Sequence, residues 1–176
     1  MKSFFLGTVT LAAVFLSLPS FAQQQGTSGT ACGARDARLD AESGPERHAM
    51  AQPESGKSVL YVIEDDGVWN RIPGSGVTFR VGMDGSWVGA TDHHHPYVSL
   101  VVTPGEHHLC GNVQTRTNSL SKSDSLAHFE AEADKTYYFR MRLFGESEVF
   151  LDLDPIDSDQ GRFLVERANG KTTSRK

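Results

Sequence analysis

Apolar and polar residues alternate through most of the second half of the chain. Phe139, Met141 and Leu143, for example, are separated by Arg140 and Arg142. This period of two is typical of a β-strand with one face on a core and the other in solvent. Such segments recur with turn residues between them, so we expect a mainly β fold. The pattern favours an antiparallel β-sandwich or open barrel of about seven strands.

Two of the predicted turns have clear sequence signals. Asp84-Gly85 lies between two alternating segments, which is the strongest short-range signal for a β-hairpin. Thr103-Pro104-Gly105 suits a type II turn, because Pro presets φ at the second position and Gly accepts a positive φ at the third. Both turns favour pairing of consecutive strands in antiparallel fashion.

The two ends of the predicted β-domain have different patterns. Residues 58–63, SVLYVI, show no polar alternation and predict a first strand buried on both faces. Near the C-terminus, Asp157 followed by Gln160 has capping-box spacing and predicts one short helix. Asn169-Gly170 is the predicted stop of that helix.

The N-terminal region has the features of an exported protein. Lys2 is followed by an uncharged apolar run, and small residues precede a cleavage point after Ala22. A retained N-terminal anchor is the alternative. The next stretch is rich in Gly, Ser, Ala, Gln and charge, which is typical of disorder. The predicted parts are a signal peptide at 1–22, a flexible linker at 23–56, a β-domain at 57–168 and a disordered tail at 169–176.

Composition narrows the class of partner. The chain has 17 Lys and Arg against 22 Asp and Glu, a formal net charge of −5. This argues against a nucleic-acid partner, which requires a basic face, and against electrostatic attachment to anionic lipid. After the signal segment, no apolar stretch reaches the length of a transmembrane helix. The expected partner is therefore an unknown envelope protein or ligand, with no cofactor.

Cys32 and Cys110 are the two cysteines, and both follow the signal segment. Outside the cytoplasm an even pair predicts a disulfide, which here would join the N-terminal segment to the β-domain. Two free thiols are the alternative. The pair and the signal segment together predict a periplasmic or extracellular location.

A histidine cluster is the main candidate for metal chemistry. Zinc, copper or nickel could bind His93, His94 and His95, with His107 or His108 from a neighbouring strand. Adjacent residues on a strand point to opposite faces, so the first three converge only in a loop. A polar loop without metal is the alternative. For His107, within the sequence Pro-Gly-Glu-His, we expect a structural hydrogen bond across the turn.

An acidic cluster near the C-terminus could attract calcium, although its spacing differs from that of an EF-hand loop. Its members are Asp152, Asp154, Asp157 and Asp159.

Two further signals are weaker still. Ser119 and Lys122 match a bare Ser-x-x-Lys, but the partner motifs of penicillin-recognising enzymes are absent. Trp69 and Trp87 could form an aromatic platform for a sugar or peptide. Trp87 directly follows the Asp-Gly turn, where packing across a hairpin is the commoner role.

Three ordered segments resemble the bacterial DUF2846 family of small exported β-domains. They are residues 77–90 (VTFRVGMDGSWVGA), 102–110 (VTPGEHHLC) and 131–140 (AEADKTYYFR). The family usually has Gly where this chain has Asp134, and Asp also tolerates a left-handed turn. The resemblance implies an antiparallel β-sandwich. It implies no reaction, because its motifs are turn chemistry.

The sequence thus predicts an exported, non-catalytic β-sandwich that acts as an envelope binding or interaction module. One alternative is a periplasmic metal-binding protein that uses the His93–His95 cluster. A second alternative is an enzyme acting on envelope material through a site with no recognisable motif.

Overall fold

The computed structural model describes residues 32–34, 36–41, 52–65, 77–115, 124–145 and 150–173. The predicted signal peptide, Trp69, Ser119 and Lys122 lie outside these ranges. Within them are eight strands and one helix. In chain order these are β1 (Ser58–Glu64), β2 (Thr78–Met83), β3 (Ser86–Thr91), β4 (Tyr97–Val102), β5 (Gly105–Gln114), β6 (Asp124–Ala131), β7 (Thr136–Phe144), β8 (Phe150–Ile156) and α1 (Ser158–Thr173).

The strands form two four-stranded sheets, which confirms a β-sandwich rather than an open barrel. The first sheet has the order β4-β1-β7-β8 and the second has the order β3-β2-β5-β6. Neighbouring strands are antiparallel except β1 and β7, which are parallel. The expectation of a wholly antiparallel fold is therefore wrong for the first sheet, which is mixed.

Apolar side chains from both sheets form the core between them. These are the inward positions of the alternating segments, as the sequence predicts. Fully or nearly fully buried members include Leu60, Val62, Phe79, Val81, Leu109, Val113, Phe139 and Met141. Polar positions of the same strands point to the outer faces.

The helix α1 covers the outer face of the first sheet. There Tyr61 stacks on Tyr138, with 5.4 Å between ring centroids, and both pack near Leu164 and Val165. This second core explains why every residue of β1 is buried. The prediction that the first strand is buried on both faces is confirmed.

The start of α1 agrees with the sequence and its end does not. Asp157 Oδ1 accepts hydrogen bonds from the backbone N–H groups of Asp159 and Gln160, each at 2.9 Å, as an N-cap should. The helix then continues past Asn169-Gly170 to Thr173, so the predicted stop there is wrong. Tyr97 donates a hydrogen bond to Asn169 Oδ1 at 2.9 Å, which ties this last part of the helix to β4.

Consequently the tail predicted as disordered at 169–176 is helical as far as Thr173, and residues 174–176 lie outside the described ranges. In the described part of the chain, no helix has the length and apolar character needed to span a membrane.

The predicted turn at Asp84-Gly85 has the expected backbone. Asp84 and Gly85 both have positive φ, at 50° and 84°, as a two-residue hairpin turn requires. Asp134 adopts φ 61°, so aspartate does occupy a left-handed turn position here. Its Oδ1 also accepts a hydrogen bond from the Gly56 N–H at 3.0 Å.

Candidate functional site: a covered polar face

The outer face of the second sheet contains buried polar side chains. Arg80 of β2 is 3% exposed, and Asn112 and Gln114 of β5 are 1% and 5% exposed. A sandwich sheet normally presents this face to water, and a buried charge without partners is strongly unfavourable. These residues therefore need both a cover and hydrogen-bond partners.

The cover is an N-terminal strap, formed by residues 32–34 and 36–41. A disulfide joins Cys32 of the strap to Cys110 of β5, with 5.1 Å between the two Cα atoms. This confirms the predicted pairing, and neither cysteine is free. The composition of 23–56 predicts a flexible linker except near Cys32, and the strap at that cysteine lies against the sheet.

The sheet holds the strap through the strap's main chain. Gln114 pairs with Leu39 twice: its Nε2 donates to the Leu39 carbonyl at 2.9 Å, and its Oε1 accepts from the Leu39 N–H at 3.1 Å. Arg80 donates to the Ala37 carbonyl at 2.5 Å. From β3, Trp87 Nε1 donates to the Ala34 carbonyl at 2.7 Å. These four hydrogen bonds hold the main chain of the strap, which turns at Ala34–Ala37, where the Ala37 N–H donates to the Ala34 carbonyl at 3.2 Å.

Arg80 lies at the centre of this face. Its Nε donates to Asn112 Oδ1 at 2.8 Å, and its guanidinium lies 4.4 Å from the ring centroid of Trp87. Asn112 Nδ2 in turn donates to Asp124 Oδ1 on β6. The amide thus links the buried cation to a carboxylate, and the indole ring adds a cation–π contact.

The strap passes very close to Trp87. A Cβ at Gly33 would lie 2.8 Å from the Trp87 backbone nitrogen and 2.8 Å from its Cγ. Carbon atoms of real side chains do not approach this closely. Only glycine therefore fits at this point of the strap, directly beside the disulfide.

A second polar contact lies on the other side of β5 and joins two of the turns. His107 Nδ1 is 2.7 Å from Asp84 Oδ2, and His107 Nε2 is 2.8 Å from the Thr103 carbonyl oxygen. Asp84 Oδ1 also accepts from the His108 N–H at 2.9 Å. Both ring nitrogens of His107 face acceptors, so the doubly protonated imidazolium satisfies both contacts. The expected structural role of His107 is confirmed.

The pKa values of His107 and Asp84 shift in opposite directions. Burial alone would lower the pKa of His107, but the hydrogen bonds to Asp84 and to the Thr103 carbonyl outweigh it, and the pKa is raised above 6.5. Burial alone would raise the pKa of Asp84, but hydrogen bonds from His108 and His107 outweigh it, and the pKa is lowered below 3.8. Each group favours the charged form of the other.

This pair predicts a pH-dependent contribution to stability. A raised pKa in His107 stabilises the fold below about pH 6.5, and this stabilisation is lost as pH rises through the folded-state pKa. A lowered pKa in Asp84 stabilises above about pH 3.8 and is lost as pH falls. We expect Asp84→Asn to cost about 1 kcal/mol near pH 5.5, since Asp84 is partly exposed, and clearly less at pH 9.

Urea unfolding of the wild type and Asp84→Asn at both pH values measures this difference. Val101→Ala, at an exposed position of the first sheet that carries no titratable group, is the control and should have the same effect at both pH values. An Asp84→Asn cost that stays constant or grows toward pH 9 would contradict the assignment of the imidazolium.

The five candidate metal-binding histidines do not converge. His93, His94 and His95 form the loop between β3 and β4, where Asp92 Oδ1 accepts from the His94 and His95 N–H groups and lies 3.1 Å from His95 Nδ1. His107 belongs to the contact with Asp84. Among the described residues, no group of three His, Cys, Asp or Glu side chains is arranged to hold a metal ion.

His108 is on the opposite face of β5 from His107. It faces His128 on β6, with 6.4 Å between ring centroids, and its Nε2 is 3.7 Å from Glu106 Oε1. This exposed pair is separate from the loop at 93–95, so the hypothesis of a joint metal site gains no geometric support.

The acidic cluster is divided between two roles. Asp157 caps α1, whereas Asp152 and Asp154 of β8 face Arg142 of β7 at 3.3 Å and 3.8 Å. A hydrogen bond shared with Asp152 raises the pKa of Asp154. These contacts are those of a cross-strand ion-pair network.

The contacts of Trp87 indicate a structural role. It packs on Arg80 and the strap, so the hypothesis of an exposed platform for a sugar or peptide finds no support at this residue.

Sequence reasoning did not single out Arg80, Asn112 or Gln114. In an alternating strand these residues look like ordinary solvent-facing positions. One signal was present: Cys110 occupies the same outward face of β5 as Asn112 and Gln114. A disulfide from that position requires another segment to cross this face.

Comparisons with known proteins add little to this picture. No protein-family model matches the sequence, and no curated protein matches it. A solved structure with some similarity is described as the NMR structure of the protein from Eubacterium rectale. It is 14% identical, covers 62% of this chain and 100% of its own, and gives a TM-score of 0.35. Similarity at this level has no bearing on function.

Proposed function

We propose that this protein is an exported, non-catalytic β-sandwich that binds a partner at the cell envelope through the outer face of its second sheet. The observation that carries the proposal is the set of hydrogen bonds from Arg80, Trp87 and Gln114 to the main chain of the strap. These side chains hold polypeptide main chain, which supports a role of this face in binding. We also propose membership of the DUF2846 family.

The family proposal is supported by a contact between two of its motifs. Asp84 comes from the Asp-Gly hairpin and His107 from the Pro-Gly-Glu-His turn, and the two side chains are joined at 2.7 Å. A contact of this kind between two turn motifs stabilises the arrangement of the turns in the fold. Export is supported by the disulfide between Cys32 and Cys110, because disulfides persist in oxidising compartments.

Photocrosslinking in the native host tests the binding surface. Leu126 of β6 pairs with Cys110 across the strands and is 61% exposed, so a photoreactive residue there probes the outer face beside the strap. Val101 of β4 is 54% exposed on the first sheet and serves as the matched control. We expect an envelope partner to crosslink at Leu126 and not at Val101.

Cell fractionation of the same strains tests export. We expect a chain that begins at Gln23, found outside the cytoplasm with both cysteines oxidised. A cytoplasmic protein with free thiols would contradict export. Equal crosslinking at both positions, or none at Leu126, would contradict the binding surface.

A further inference from the structure

Two neighbouring cross-strand pairs on the outer face of β5 and β6 consist of residue types that ligate metals. His108 is directly opposite His128, and Glu106 is directly opposite Glu130. We call these four residues the His–Glu patch. All four are exposed, so the patch lies beside the covered polar face and not beneath the strap. The neighbours of His108 in the sheet are therefore a second imidazole and two carboxylates.

The backbone geometry brings the side chains of the two histidines close together. Asp84 Oδ1 accepts from the His108 N–H at 2.9 Å, and the Asp84 N–H donates to the His108 carbonyl at 2.9 Å. Both main-chain groups of His108 therefore point away from β6. His108 and His128 form a non-hydrogen-bonded pair, in which side chains are closer than in the hydrogen-bonded type. The contacts with Asp84 also fix the main chain of His108.

The two carboxylates of the patch need a cation. Like charges directly opposite each other on antiparallel strands are destabilising. Within the described ranges, no Lys or Arg forms an ion pair with Glu106 or Glu130. A cation bound at the patch would remove this repulsion.

The spacing of two donor atoms already fits a metal ion. Glu106 Oε1 is 3.7 Å from His108 Nε2. Zinc binds imidazole nitrogen at about 2.0–2.1 Å and carboxylate oxygen at about 2.0–2.2 Å, so one ion between these two atoms contacts both. The ring centroid of His128 is 6.4 Å from that of His108. His128 must come closer to become the third ligand, and its exposed side chain can rotate without disturbing the core.

We infer that His108, His128 and Glu106 bind a divalent transition-metal ion on the outer face of the second sheet. Two imidazoles and a carboxylate suit zinc and copper, whereas calcium and magnesium prefer sites made of oxygen ligands. Water completes the coordination of the ion, and Glu130 adds negative charge beside it. This site does not use the loop at 93–95, and it is independent of the proposed partner binding.

Isothermal titration calorimetry of the untagged exported chain with zinc chloride, at about pH 7.5, tests the site. We expect one zinc ion per chain in the tightest binding event. His108→Asn and His128→Asn should each raise the dissociation constant about tenfold or more, because each removes one of two imidazoles that bind the same ion. Glu106→Gln should weaken binding less, because the amide keeps an oxygen donor and loses the charge.

Combining His108→Asn with His128→Asn separates one shared site from two independent ones. On a shared ion, the double variant should lose less than the product of the two single losses, since either substitution alone already breaks the chelate. Two separate histidine sites would give independent losses.

The matched control combines His93→Asn with His94→Asn, two exposed histidines outside the patch. It should leave the zinc affinity unchanged. Calcium chloride in excess should not displace the zinc. Circular dichroism checks that each variant is folded, which we expect because every substituted side chain is exposed.

Zinc binding that persists unchanged in folded His108→Asn and His128→Asn would overturn the inference. Loss of binding in the His93→Asn, His94→Asn control would also overturn it, because the ion would then bind the loop. A wild type that binds no zinc at millimolar concentration would exclude the site altogether.

Discussion

Substitution Cys32→Ala should lower the free energy of unfolding by about 2–5 kcal/mol. The disulfide spans 78 positions of sequence, and the chain-entropy estimate for so long a loop is about 4.5 kcal/mol, which is an upper value. Urea unfolding of the exported chain, followed by circular dichroism, gives the measurement. Native domains are stable by about 5–15 kcal/mol, so the sandwich itself should remain folded.

Reductant provides the control. It should destabilise the wild type by a similar amount and leave Cys32→Ala unchanged, because the variant has no disulfide to lose. A wild type as stable with reductant as without it, under conditions where mass spectrometry shows two free thiols, would contradict the prediction.

Once the disulfide is reduced, the strap should be less stable than the rest of the domain. Its four hydrogen bonds contribute about 0.5–1.5 kcal/mol each, whereas ordering each backbone residue costs about 1–2 kcal/mol. Hydrogen exchange should therefore show the Leu39 amide becoming fast on reduction, while the amides of β1 and β7 in the first sheet stay protected.

The substitution Gly161→Ala should be the most damaging single methyl addition in α1. A Cβ at this position would lie 2.6 Å from Tyr138 Cβ and closer still to the ring. Tyr138 cannot move aside easily, because it is 4% exposed and stacks on Tyr61. The helix must shift away from the first sheet, at a cost of about 1–3 kcal/mol.

Gly170→Ala is the matched control in the same helix. A Cβ at Gly170 would have no atom within 4 Å, so the substitution should be neutral or stabilising by up to about 1 kcal/mol. Urea unfolding of both variants gives the comparison. Equal effects at the two positions would show that α1 does not rest on Tyr138 as described.

Much of the fold could be predicted because alternation and turn residues act locally. Phe139 and Met141 are inward because each is flanked by polar or outward residues, and Asp84-Gly85 adopts the turn that its residues favour. The parallel pairing of β1 with β7 has no local signal, since the two strands are separated by five others. The helix end at Thr173 was missed because the contact of Asn169 with Tyr97 is tertiary.

The candidate site was harder to predict for a different reason. The outward-facing positions of their strands are occupied by Arg80, Asn112 and Gln114. In most sandwiches such positions are exposed to solvent. They are buried because a distant segment, poor in apolar residues and typical of disorder, is attached there by Cys32. Composition indicates whether a segment can become ordered by burying its own apolar residues. A disulfide to another strand can order a segment whose composition is typical of disorder.

The position of β1 has a consequence for how the chain acquires its structure. β1 is the first strand to be synthesised. It lies between β4 and β7 in the first sheet, so its pairing is complete only when β7 has been made. Until Thr136–Phe144 is available, the uncharged run 58–63, rich in β-branched residues, has one edge without its native neighbour. Such windows are prone to intermolecular β-pairing, and pairing across long sequence separation is slow. We expect aggregation during folding to begin at β1 and to be suppressed by anything that speeds the arrival of β7.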